Sequence, residues 1–149
     1  MMRHFSLRQM ILALVFIGTI GLILELVLQK HFDSATQWIP IVALGVGLAT
    51  TGAVARNPKH HTMRAFVITM IVFVAAGVLG LVLHFKGNVE WALERNPELG
   101  GMTLIWKALT GATPALAPGA LAQLGLLGLA WSYRHPASRT DSTNTETEK

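Results

Sequence analysis

Two glutamates four residues apart, Glu90 and Glu94, head a small set of side chains able to hold a cation or move a proton; the others are Glu25, His31 and His84. Carboxylates and imidazoles together form the oxygen/nitrogen donor set that divalent metals accept. On a helix Glu90 and Glu94 share a face and repel by roughly 0.2–0.5 kcal/mol, a cost that a basic partner, a metal ion or plain water would offset. Glu25 stands one turn inside the end of an apolar run. A charge at the centre of such a run costs about 2.5–3.5 kcal/mol on insertion scales, less near its end, and protonation reduces the cost further. Glu25 and His31 are six apart, about 240° around a helix. They cannot chelate together from one helix, so a break near Gln29 or partners from other segments would be required. The plainer readings are a solvated acidic face, a carboxyl bonded to a neighbouring helix and interfacial histidines without a ligand role.

No other chemistry is signalled. The chain has no cysteine, which excludes disulfides, thiolate metal sites and cysteine nucleophiles. It carries no phosphate-binding glycine loop, no His-Glu-x-x-His pair and no serine nucleophile elbow. The net charge of +4 comes from basic residues beside apolar runs rather than from a patch interleaved with aromatics. That pattern fits anionic lipid headgroups better than nucleic acid. His60-His61 sit in a basic loop and read as surface.

The elements that must position these groups are long and apolar. Of the 149 residues, 52% are hydrophobic and 13% charged, about half the charged share of a soluble domain. Four membrane spans are expected, at about 7–28, 36–55, 64–85 and 115–133. The first is about 33 Å long as a helix, enough for a hydrocarbon core of about 30 Å. It has a signal-peptide look, but it ends in Glu25-Leu-Val-Leu-Gln-Lys without a small-x-small site, so it reads as an anchor. Pro40 is expected in the first turn of the second span, and Asn57-Pro58 marks a tight hairpin into the third. Ala43/Gly47, Gly45/Ala49, Ala49/Ala53 and Ala76/Gly80, with Gly119, Gly125 and Gly128, are small residues suited to close helix approach. Gln123 and the pair Thr50/Thr51 read as interhelical hydrogen-bonding groups. Beyond Pro136, residues 137–149 are polar and read as a disordered cytoplasmic tail.

Lysine and arginine set the expected topology. With the N-terminus inside, the inner side holds Arg3, Arg8, Arg56, Lys59, Arg64, Arg134, Arg139 and Lys149, and the outer side Lys30, Lys86, Arg95 and Lys107. The positive-inside rule then puts both termini in the cytoplasm, with Trp38, Trp91 and Trp106 toward the outer interface and Trp131 toward the inner. Glu25, His31, His84, Glu90 and Glu94 all fall at the outer boundary. The outer cap, 86–114, is expected to stop the third span at Gly87 and to start a short helix, 89–96, capped by Asn88, with Glu90 in its first turn. Arg95, four from Trp91, is placed to cover the indole. Asn96-Pro97 ends that helix and Gly100-Gly101 forms a joint. A second helix, 102–112, presents Met102, Ile105, Leu109 and Ala112 on one face as an interfacial helix.

The stretch His84-Phe-Lys-Gly87-Asn88-Val-Glu90, with Glu94, Pro97 and Gly101, resembles a family of small, uncharacterised bacterial multi-span membrane proteins. The run Trp106 to Gly119, the ending Leu124-Gly-Leu-Leu-Gly-Leu-Ala and Tyr133-Arg-His-Pro136 are similar to it too, so the likeness covers roughly residues 25–136. It implies a bacterial inner-membrane location and a four-span fold, and it brings no activity with it. The expectation is therefore an all-α, four-transmembrane-helix bundle with a short helical extracytoplasmic cap between the third and fourth spans. Its expected role is a non-enzymatic accessory module contacting a partner or small ligand. A second copy or another membrane protein would be its partner beside the bilayer. The alternative is a metal- or proton-handling protein using the outer Glu/His cluster, with a metal ion as its cofactor.

Overall fold

The computed structural model describes residues 6–30, 35–111 and 116–138, and every regular element among them is helical. There are five α-helices: α1 Leu7–Leu28, α2 Ala35–Arg56, α3 His60–Arg95, α4 Gly101–Leu109 and α5 Leu116–Ser132. A 3-10 turn, Pro136–Ser138, follows. His31 and Ala112 lie outside the described residues, as does nearly all of the expected tail.

Local sequence explains the helix ends. Ser6 caps α1: its hydroxyl accepts the Gln9 amide at 3.3 Å, and Gln9 Oε1 accepts the Ser6 amide at 2.9 Å, a reciprocal capping box. The Asn57-Pro58 turn closes with the Lys59 amide donating to the Asn57 carbonyl at 2.9 Å. Thr62 Oγ1 donates to the same carbonyl, and α2 and α3 form the expected antiparallel hairpin. Because α2 begins at Ala35, Pro40 falls inside the helix, beyond the first turn where its missing amide hydrogen would cost nothing.

Around the bundle each long helix touches two neighbours in the order α1–α2–α3–α5–α1, so α2 and α5 lie on one diagonal and α1 and α3 on the other. The core between them holds Val15, Leu44, Val54, Phe66, Met70, Phe73, Leu121, Leu124 and Trp131. The closest packing is between α3 and α5, and it depends on missing side chains. A Cβ on Gly77 would lie 2.5 Å from the Ala122 amide nitrogen, and one on Gly125 2.6 Å from the Met70 carbonyl. Gly47 in turn receives the Phe73 ring. The small residues are thus partly as expected, but Gly45 meets nothing within 4 Å and Gly119 only Leu81. Trp131 is buried edge-to-face against Phe66, ring centroids 5.2 Å apart, so it serves the core rather than a lipid interface. Thr50 and Thr51 do not bond between helices: both hydroxyls donate to the Gly47 carbonyl of their own helix, Thr50 also to Val46.

Among the described residues three helices are long and apolar enough to cross a membrane: Leu7–Leu28, Gln37–Arg56 and His60–Arg95. Large apolar side chains are exposed around the bundle, among them Ile17, Val42, Leu79 and Leu126, the kind of surface that marks contact with a membrane or another protein.

The main departure from expectation is α3. No break occurs at Gly87-Asn88; the helix runs on for 36 residues, about 54 Å. Asn88 is no N-cap but a buried mid-helix residue, and Glu90 is not in a first turn. The last ten residues of α3, 86–95, project about 15 Å past its uncharged stretch.

Candidate functional site: the projecting helical hairpin

The extension of α3 does not stand alone. Asn96, with extended backbone before Pro97, stops the helix. The Leu99 amide then donates to the Asn96 carbonyl at 3.1 Å, and Asn96 Oδ1 accepts the Glu98 amide at 3.3 Å. Gly101, at φ +56°, turns the chain into α4 through a backbone region that favours glycine. The short helix packs back along α3.

One side chain clasps the two together. Asn88 Nδ2 donates to the Ala108 carbonyl at 2.9 Å across twenty residues of sequence, and both residues are buried. Gly111 completes the seat, since a Cβ there would lie 2.6 Å from Asn88 Cγ. Ala92, one turn above Asn88, is also buried. The signal for this clasp was the small-residue spacing Asn88–Ala92 along an unbroken helix, which the Gly-Asn pair masks by imitating a stop and a cap.

Fastened in this way, α4 turns its large apolar side chains outward. Met102 is 76% exposed, Ile105 43%, Trp106 66% and Leu109 50%. On the extension itself Trp91 is exposed and Arg95 lies over it, guanidinium carbon 4.1 Å from the ring centroid, the expected i, i+4 arrangement. The hairpin therefore presents an apolar strip beside a cation-covered indole.

The five proposed ligand residues are distributed as follows. Glu25 is half-exposed near the end of α1 and accepts from Gln29 Nε2 at 3.1 Å, a bond within its own helix. His84 is half-buried on α3, and Glu90 and Glu94 are exposed on its extension. Lys86 Nζ lies 3.8 Å from Glu90, the basic partner that offsets the carboxylate pair. Continuity of α3 fixes these groups on one rod: His84 is about 9 Å from Glu90 along the axis and about 15 Å from Glu94. Glu90 and Glu94 share a face one turn apart, and among the described residues no three His, Asp or Glu side chains are grouped for a metal. His31 falls outside the described residues.

Charge is sorted between the two ends. Every described carboxylate, Glu25, Glu90, Glu94 and Glu98, is at the hairpin end, mixed with Lys30, Lys86, Arg95 and Lys107; the other end holds Arg8, Arg56, Lys59, Arg64 and Arg134 and no described acid. There Arg8 Nη2 donates to the carbonyls of Tyr133 and Arg134 at 3.3 and 3.2 Å, a cation at the negative end of α5. His135 stacks on Trp131, centroids 4.8 Å apart, and its Nδ1 accepts the Ala137 amide at 3.2 Å. Burial, and secondly the Arg8 charge, hold its pKa below the usual 6.5.

No family model, curated protein or solved structure matches the chain, so the functional reading rests on its own residues.

Proposed function

We propose that the chain is a four-span protein of the bacterial inner membrane, with its basic end in the cytoplasm. In this reading its outer hairpin is a non-enzymatic docking element for a partner or small ligand. The small bacterial membrane proteins it resembles would share this plan. Support for the fourth span comes from depth. Gly77 packs on Ala122, Gly80 on Pro118 and Gly128 on Met70 and Phe66, so α5 lies alongside the uncharged part of α3. Its 17 residues reach about 26 Å, at the short end of what crosses a bilayer. The orientation follows the positive-inside rule, given the sorted charges.

The observation that carries the docking role is the outward apolar strip of Met102, Ile105, Trp106 and Leu109 on a helix pinned by a buried hydrogen bond. A rigid, exposed aromatic and aliphatic surface outside the uncharged stretch is what a binding site offers. A photocrosslinking residue at Trp106, in cells, tests it. A discrete protein or ligand adduct that disappears in an Ile105→Ser/Leu109→Ser variant supports docking; adducts to lipid alone refute it.

The second reading, cation or proton handling by Glu25, His31, His84, Glu90 and Glu94, draws on the confinement of the described carboxylates to one end. Elemental analysis of the purified protein beside a His84→Ala/Glu90→Gln variant tests its metal-binding form. Stoichiometric metal lost in the variant would move this reading to the front.

A further inference from the structure

The apolar stretches contain few polar side chains, and the buried or half-buried ones satisfy themselves. Thr19, Thr50, Thr51 and Thr69 each donate to a carbonyl one turn back in their own helix, at 2.7, 3.0, 2.7 and 2.9 Å. Gln123 does not. It lies on the outward side of α5, exposed, with no hydrogen bond among the described residues. Its depth is set by its neighbours: Ala122 packs on Gly77 and Gly125 on Met70 and Val74, level with the middle of the uncharged stretch of α3. The ends of α5 are about 10 Å and about 14 Å away along the axis, beyond the reach of a glutamine seeking the headgroups.

We propose that two copies of this chain associate through the outer face of α5, the Gln123 carboxamides bonding to each other across a two-fold axis. This rests on α5 being the fourth span. In hydrocarbon an unpaired amide is costly, and a bond to another helix removes that cost. A carboxamide carries both donors and an acceptor, so it is complementary to itself, and a two-fold axis places the same group on both sides of the contact. A second copy supplies that complement by symmetry, with no further protein required. The flanking residues allow close approach: Gly119 is one turn before Gln123, and Leu126 and Ala130 follow on the same side. Among the described residues nothing demands a glycine at 119, where a Cβ would make only ordinary contact with Leu81 at 3.8 Å.

Because the chain has no cysteine, a single introduced one reports only contacts between copies. Leu126→Cys and, as control, Leu79→Cys on α3 are at equally exposed positions, 58% and 59%. In full-length protein in lipid vesicles, oxidation should cross-link the first and not the second. Energy transfer between labelled copies, followed on lipid dilution, should show dimerisation about 3- to 30-fold weaker in Gln123→Leu, with Gln123→Asn retaining part of it. Equal cross-linking of the two cysteine variants, or undiminished dimerisation in Gln123→Leu, overturns the proposal. So does cross-linking of Leu126→Cys in native membranes to a different protein only. A membrane-impermeant maleimide separates the two levels. If the Leu126→Cys thiol is shielded from it yet fails to cross-link, the dimer alone is lost; ready labelling of that thiol removes α5 from the bilayer and overturns both.

Discussion

At the residue scale, Asn88 decides whether the hairpin exists. Its side chain spans the buried seam between α3 and α4, and removing it strands the Ala108 carbonyl away from water. Asn88→Ala should loosen α4 by about 1–3 kcal/mol, seen as faster amide exchange in α4 and cleavage in the 96–100 turn while the bundle stays protected. Asn88→Asp should be no better, since it keeps the shape but loses the donor. His135 gives a pH prediction. Its folded-state pKa lies below the unfolded 6.5, so the unfolded chain binds the proton more readily. The stabilisation is complete above about pH 6.5 and is lost as pH falls through the folded pKa. Protonation also removes the Nδ1 acceptor for Ala137 and sets a positive ring beside Arg8. NMR titration should find the low pKa, and Arg8→Gln should raise it. Some of this scale was legible beforehand: Arg95 over Trp91 follows from i, i+4 spacing. The threonines were misjudged because a carbonyl one turn back in the same helix is already within reach of the hydroxyl.

At the scale of elements, the sequence located α1 and the ends of the α2–α3 turn to within a few residues, because charge stops and the Asn-Pro pair are local signals. It failed at Gly87-Asn88. Glycine and asparagine are poor helix formers, yet tertiary contact overrides them: Asn88 is held by α4, and Gly87 has open space around it. The separation of His84 from Glu94 follows directly from that continuity of α3. Helix pairing was legible only as a stock of small residues; which of them matter depends on which face meets which, and Gly77, not singled out by its spacing, faces the α5 backbone. Gly77→Val should therefore be severe, costing about 1–3 kcal/mol or more from overpacking, because the obstructing atoms are main chain. Gly21→Ala, with nothing within 4 Å, should be neutral or gain up to about 1 kcal/mol in helix propensity. Thermal unfolding in detergent compares the two.

For the whole molecule, the sorted charges make a topology prediction. An Asn96→Cys variant should react with a membrane-impermeant reagent added to the outside of intact cells. Reaction only after the membrane is opened would reverse the orientation and place the hairpin in the cytoplasm. The helical, membrane-length character was readable from composition, since uncharged runs of such length leave too little polar surface to cover them in water. The arrangement of helices was not, because lipid-facing and helix-facing positions use the same apolar residues.

The uninterrupted α3 has a mechanical consequence. A 36-residue helix without a joint is a lever, and rotation or tilt of it is passed to α4, since Asn88 fastens the two. For a rod about 54 Å long, a tilt of about 10° carries the tip by about 9 Å. On the docking reading, a partner at the strip around Trp106 would have a grip on the packing between α3 and α5, and a change in that packing would move the strip. Gly87→Pro would put a kink in the lever next to Asn88 and so uncouple its two ends.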